Sequence, residues 1–334
     1  MNLSPLPKKP FISSPAGVIT VAAAAAAAAT AVWIEVKARR AERDHPPAGQ
    51  FLDIDGVCLH YVERGEGPAV VLLHGNNVTH ADFEASRLID RLAQNHRVIA
   101  FDRPGFGHSS RPRNRLWTPA AQAALFNAAL ERLDVKKPVV VGHSMGTMVA
   151  LAMALDFPVN VAKLVLIGGY YYPGLRVDAL MTAPVALPVV GDAMRYTVTA
   201  LSARVMLEGA LKAMFSPNEV PVNFLPTLHR EMLLRPVQLR ANAEDAAFMI
   251  PAALANSRRH GELKLSVTLI AGANDKVVDP VDHTARLHCE LAHSDLHVLP
   301  GTGHMAHYKA QDLVVSAVAV EGQRLAAVSG KHGT

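Results

Sequence analysis

Short apolar runs alternate with helical stretches along most of the chain. Residues 69–73, 98–101, 138–141, 164–167, 267–270 and 296–299 are short, mainly apolar runs without regular polar alternation. Such runs predict strands buried on both faces. Helical stretches fall between them, at about 81–94, 119–133, 146–156, 282–292 and 310–328. Strand–helix alternation of this kind predicts a mostly parallel sheet with helices on both faces. Ahead of it, residues 51–54 and 57–61 flank Asp55-Gly56, a type I′ turn pair, and predict a hairpin.

The rhythm breaks between Gly169 and Leu263. No buried strand is legible there, and Leu/Met-rich helical stretches are cut by eight prolines: Pro173, Pro184, Pro188, Pro217, Pro221, Pro226, Pro236 and Pro251. Because the α/β pattern resumes afterwards, the interval is expected to be a helical insertion over one edge of the same sheet. The expected organisation is core at 51–169, helical cap at 170–262, core again at 263–328 and a tail at 329–334.

The N-terminal region follows neither pattern. No charge occurs from residue 10 to 34, and residues 16–34 are apolar, with eight consecutive alanines at 22–29. Nineteen helical residues span about 28 Å, close to the hydrocarbon thickness of a bilayer. Trp33 stands at the end of the run, where interfacial aromatics are common. Lys37, Arg39, Arg40 and Arg43 follow, then Pro46-Pro47. The expectation is a tail at 1–15, a single-pass transmembrane helix at 16–34 and a basic, Pro-containing linker at 35–50. The basic cluster places the folded domain on the cytoplasmic side, although Lys8 and Lys9 pull the other way. Two alternatives stand beside the anchor. One is a signal peptide cleaved at Ala29-Thr30-Ala31, with export of the domain. The other is a soluble Ala-rich helix.

Composition narrows the function classes. The chain has 334 residues, half of them hydrophobic, enough for one core and a lid. It carries 33 Lys and Arg against 29 Asp and Glu, and residues 1–49 hold six of the basic and three of the acidic side chains. The remainder is nearly neutral, so no nucleic-acid partner is expected. Cys58 and Cys289 are expected to be free, part-buried thiols, or one disulfide if the domain is exported. No Cys/His spacing suggests zinc.

One motif carries chemistry. Val139-Val140-Val141-Gly142-His143-Ser144-Met145-Gly146 is a strand ending in G-x-S-x-G, with a helical run directly behind it. A serine on so sharp a strand-to-helix turn projects its hydroxyl above the sheet, and the helix N-terminus behind it favours a developing negative charge. The Met145 N–H is then a candidate oxyanion donor.

A serine hydroxyl needs a base, and the base needs an orienting acceptor. Of sixteen histidines, His304 lies in a loop just past the last apolar run. Asp275 lies in the loop after the run at 267–270, at the same sheet edge, with Asp279 as runner-up. His143 is expected to support the turn. His307 pairs with His304 as half of a metal site, but no carboxylate or third ligand is in view, so no metal is expected. Gly75 lets the loop after residues 69–73 bend close, which makes the Asn76 N–H the second oxyanion candidate. Asn77 and Tyr170 are candidate substrate contacts, and the other expectation for Tyr170 is that it seals the hinge into the cap. Residues 111–115 are expected to form a solvated loop.

The sequence resembles the α/β-hydrolase superfamily, in its epoxide-hydrolase, esterase and C–C hydrolase branch. The resemblance is carried by His74-Gly75-Asn76-Asn77, by Asp102-Arg103-Pro104-Gly105-Phe106-Gly107-His108-Ser109, by the turn at Ser144, by Gly272 to Asp275 and by Gly303-His304. It implies an eight-stranded, mostly parallel sheet with a helical cap between the sixth and seventh strands. It also implies a Ser144–His304–Asp275 triad and a mainly structural role for residues 102–109. Epoxide hydrolases and haloalkane dehalogenases of this fold carry Asp where this chain has Ser144, which disfavours their chemistry. A serine hydrolase cleaving a small, apolar carboxylic ester without a cofactor is the expected function. The alternatives are a C–C bond hydrolase or cofactor-free perhydrolase on the same triad, and a hydrolase-fold ligand-binding protein with slow turnover.

Overall fold

The computed structural model describes residues 14–174 and 176–319. The expected tails, and the part of the expected last helix after residue 319, lie largely outside these residues. Eight strands form one sheet: β1 Gln50–Ile54, β2 Val57–Arg64, β3 Ala69–Leu73, β4 Arg97–Phe101, β5 Val139–His143, β6 Lys163–Ile167, β7 Ser266–Gly272 and β8 Ser294–Leu299. Their order is β1-β2-β4-β3-β5-β6-β7-β8. β1 and β2 form an antiparallel hairpin at one edge, and β2 runs antiparallel to β4. The six strands from β3 to β8 are parallel. Every residue of β5 and β6 is buried, which is why these strands read as continuous apolar runs.

Helices cover both faces. Pro119–Arg132 and Met145–Asp156 pack their apolar side chains on one face, in a core with Val140, Leu164 and Leu166. On the other face Val141, Val165 and Ile167 meet Phe83, Leu88 and the helix at 311–319. The single helix expected at 81–94 is two short ones, Ala81–Ala85 and Leu88–Leu92. Arg87 separates them with φ 61°, a left-handed backbone that ends a helical hydrogen-bond ladder. The segment expected at 282–292 starts as a π-turn, Pro280–Ala285, before Arg286–Glu290.

Between β6 and β7 the chain is helical: Val177–Ala186, Val190–Arg195, Val198–Phe215, Phe224–Leu228, Arg230–Leu233 and Pro236–Ser257. These helices roof the C-terminal edge of the parallel strands. Buried charge ties them down. Arg103, in the loop after β4, and Arg111 both bond Asp245 of the last cap helix, Arg111 at 2.9 Å. Arg111 also reaches Glu244 at 2.6 Å. The segment 111–115 is therefore not simply a solvated loop: Arg111 is buried in the clamp between core and cap.

The N-terminal boundary also differs from expectation. One helix runs from Pro15 to Asp44, so most of the expected linker is helical. Among the described residues it is the one helix long and apolar enough to cross a membrane. Residues 18–29 are exposed, whereas Ile34 and Ala41 are buried against the cap. Glu42 bonds the buried Arg235 at 2.7 Å, and Arg235 in turn donates to the Gly107 carbonyl of the core. Cys58 and Cys289 are free and exposed, not part-buried.

Candidate active site

The geometry starts from the end of β5. Ser144 has φ 51° and ψ −118°, a conformation a non-glycine residue holds only under constraint. The constraint is local. The Ser144 N–H donates to the Ile167 carbonyl at 2.9 Å, at the end of β6. The Ser144 carbonyl accepts from the Thr147 N–H at 3.0 Å and the Thr147 hydroxyl at 2.6 Å. A Cβ on Gly146 would lie 2.0 Å from the Leu73 carbonyl oxygen, so only glycine lets the turn sit this close to β3. A Cβ on Gly75 would stand 3.0 Å from the Ser144 Cβ, which explains the glycine after His74.

His304 arrives on the loop after β8, fixed by its N–H to the Met214 carbonyl at 3.1 Å. Its Nδ1 lies 2.7 Å from Asp275 Oδ2. Asp275 comes from the loop after β7, and its Oδ1 accepts from the Val277 and Val278 N–H groups at 2.7 and 2.9 Å. Both carboxylate oxygens are thus engaged and the plane of the group is set. With Nδ1–H facing Asp275, Nε2 is the accepting nitrogen. Asp279 stands elsewhere: it caps the π-turn through the Val281 and Asp282 N–H groups.

Ser144 and His304 share a cavity of about 150 Å³ with Asn76, Asn77 and Met145, roofed by Thr182, Met214, Ala246 and Met249 of the cap. Met145 is the first residue of the helix behind Ser144, where N–H groups have no partner within the helix. The Asn76 side chain is anchored through its Oδ1, which accepts from Arg103 Nη2 at 2.6 Å. The same guanidinium donates to the His74 and Gly75 carbonyls at 2.9 and 3.1 Å. Arg103 thus holds the whole turn before Asn76 in place. His74 completes it. Its Nδ1 contacts the Gly75 carbonyl at 2.7 Å and its Nε2 accepts from the Arg103 N–H at 3.0 Å. Burial, with Arg103 beside it, pushes the His74 imidazole down to about 3, so it stays neutral.

Tyr170 is not in the cavity wall. It is buried at the entry to the cap, its hydroxyl bonded to the Gly174 carbonyl at 2.9 Å and N–H at 2.7 Å. It packs on Met145, Met148 and Met249 and seals the hinge. Asn77 does line the cavity, with its N–H donating to Asn242 Oδ1 at 2.8 Å.

A polar cluster beneath the turn was not foreseen. His307 Nε2 lies 3.0 Å and His143 Nδ1 3.8 Å from Asp82 Oδ2, all three residues buried. A carboxylate therefore does join His307, but its partner is His143 rather than His304. Asp82 lies in a short helix after β3, and nothing local marks it. His143 Nε2 is 3.3 Å from the His304 carbonyl, so the cluster also abuts the loop that carries His304. Burial holds the His143 imidazole well below its ordinary value.

A family model described as alpha/beta hydrolase fold matches residues 68–203. A 2-hydroxy-6-oxononadienedioate/2-hydroxy-6-oxononatrienedioate hydrolase from Escherichia coli is 29% identical over 285 residues, 79% of this chain and 91% of its own. Among solved structures, an alpha/beta hydrolase fold protein from Burkholderia ambifaria matches with a TM-score of 0.68 at 21% identity, over 82% of this chain and 97% of its own. A thermophilic esterase from Thermogutta terrifontis matches with a TM-score of 0.66 at 21% identity, over 82% of this chain and 98% of its own. The sheet order, the turn at Ser144 and these likenesses agree: the chain has the α/β-hydrolase fold and is a hydrolase similar to members of that superfamily.

Proposed function

We propose that this hydrolase cleaves a carboxylic ester of a small apolar substrate through Ser144, His304 and Asp275. The observation that carries the reading is the 2.7 Å contact between His304 and Asp275 beside a cavity that also holds Ser144 on its strained turn. His304 Nε2 takes the proton of Ser144 Oγ as Oγ bonds to the substrate carbonyl carbon. The carbonyl π pair moves to oxygen, which the Met145 and Asn76 N–H groups receive. Collapse expels the alkoxide, which leaves with the proton from His304. A water then repeats the sequence on the acyl-enzyme, with His304 as base, and releases acid and free Ser144. Every group needed is a side chain or backbone amide of this chain, and the step requires no cofactor. Met214, Ala246, Met249 and Val277 suit an apolar acyl portion, and Asn77 borders the same space.

Ser144→Ala is expected to keep the fold, read by circular dichroism, and to lose turnover of a p-nitrophenyl ester. Wild-type-like turnover in that variant overturns the assignment. A second reading, C–C bond hydrolysis on the same residues, draws on the Escherichia coli relative and on Arg176, a guanidinium in the cavity wall suited to a substrate carboxylate. Turnover of a vinylogous diketone carboxylate in preference to esters favours it.

The N-terminal helix fits a single-pass anchor with the catalytic domain cytoplasmic. Its last third is packed on the cap, which supports an anchor over a removable leader. Retention in carbonate-washed membranes is expected.

A further inference from the structure

We propose that the outer face of the cap is a membrane-docking surface, seated on the same lipid leaflet that the N-terminal helix enters. The inference rests on the anchor reading above. It begins with the cap helix Val198–Phe215, which has two apolar faces. Ala200, Leu211 and Phe215 point inward, and the latter two pack with Leu228 and Met305. Val198, Leu201 and Val205 lie at i, i+3 and i+7 on another face, 56%, 44% and 84% exposed, with Met206 beside them. A surface helix in water needs one apolar stripe, and the second is left uncovered by the described residues.

The anchor identifies what covers it. Arg204, between Leu201 and Val205 in sequence, stacks over the Trp33 ring at 5.3 Å. Trp33 closes the apolar run of the anchor and belongs at the interface. The buried Ile34 and Ala41 and the Glu42–Arg235 bond fix the helix to the cap, so the stripe beside Trp33 is held at the same depth. The occupant is therefore the acyl boundary of a phospholipid leaflet. From residue 35 to 44 the helix carries four basic and three acidic side chains, so the seat depends on apolar contact more than on anionic headgroups. The same cap helix contributes Met214 to the cavity wall above Ser144. A lipid-soluble ester thus has a route from leaflet to Ser144 along one element.

The test uses the full chain in uncharged phosphatidylcholine vesicles, with Cys58 and Cys289 replaced by serine. An environment-sensitive dye is attached at Val205→Cys or at Val159→Cys. Val159 is 72% exposed and lies in the turn before β6, at the opposite end of the sheet from the cap. Nitroxide lipids labelled near the headgroup are expected to quench the dye at 205 and not at 159, with little change when anionic lipid is added. Equal, weak quenching at both sites while the protein resists carbonate overturns the docking surface. Loss of carbonate resistance overturns it together with the anchor. Leu201→Asp with Val205→Asp is expected to leave a water-soluble ester's turnover unchanged and to cut turnover of a bilayer-embedded long-chain ester several-fold. Equal rates on the embedded ester overturn the route. Should the parent turn over no ester, the quenching arm still decides the docking surface.

Discussion

The floor and the roof of the cavity are built by different means. The floor residues Ser144 and His304, with Asp275 behind His304, sit within a few residues of strand ends, and hydrogen bonds to the backbone aim them: Ser144 to Ile167, the Asp275 carboxylate to Val277 and Val278, His304 to Met214. The roof is tied on by side chains from distant parts of the chain, above all Arg103 and Arg111 on Asp245. A backbone-aimed site keeps its geometry when surrounding side chains change. A side-chain-clamped roof depends on each charge finding its partner, and it can part from the floor when one is lost. On the proposed function, the floor carries the chemistry and the roof governs what reaches it.

The largest expected effect tests the floor. Asp275→Asn keeps the size of the side chain and its contacts to the Val277 and Val278 N–H groups, but it offers His304 an amide in place of a carboxylate. The imidazole then loses its oriented proton acceptor. A fall in kcat/KM of roughly 10³–10⁴-fold is expected, with little change in melting temperature. Loss of stability instead of rate would mean that the pair serves the fold and not the reaction.

Next comes the clamp. Asp245→Ala leaves two buried guanidinium groups, Arg103 and Arg111, without this partner, although Arg111 keeps Glu244. Removing one partner of a buried ion pair costs about 3–5 kcal/mol. Urea denaturation of the variant should show that loss, and Asp245→Asn a smaller one. Arg103 also bonds the His74 and Gly75 carbonyls and Asn76 Oδ1, so the roof variant should lower kcat on short esters as well. If stability falls while kcat holds, floor and roof are independent, and Arg103 does not transmit between them.

The same contrast explains what the sequence disclosed. That Ser144, Asp275 and His304 would come together was legible because each follows a strand-forming run, and the sheet brings those run ends to one edge. The inner parallel strands were legible for the same reason, full burial leaving an apolar signature, whereas β8, expected to be buried on both faces, is an edge strand with no buried residue. Asp245 was not legible, because its partners Arg103 and Arg111 lie over 130 residues away and an Asp within a cap helix looks like an ordinary solvated charge. Asp82 was hidden in the same way, so His307 appeared to lack a carboxylate. The N-terminal helix ran ten residues past its apolar segment because the i,i+4 pairs Glu35–Arg39 and Arg40–Asp44 favour helix where hydropathy no longer reports it. Tyr170 could be assigned to either hinge or substrate until the Gly174 contacts placed it in the hinge.

The smallest effect belongs to the floor and concerns pH. His74 is held neutral, its value pushed down to about 3, first by burial and then by Arg103. Its Nε2 must accept from the Arg103 N–H, and protonation removes that acceptor. In the unfolded chain the same imidazole takes up a proton near 6.5. As pH falls below that value the unfolded state binds a proton that the folded state refuses, so stability drops toward acid and is regained above about pH 6.5. The slope is about 1.4 kcal/mol per pH unit within the window, or roughly 2 kcal/mol between pH 7 and pH 5. Denaturation of the wild-type protein and of His74→Asn at these two pH values isolates this share from the other histidines. The variant should be less stable at pH 7 and lose less on acidification. An identical loss in both proteins would mean that His74 is protonated in the fold, and that the turn before Asn76 is held by Arg103 alone.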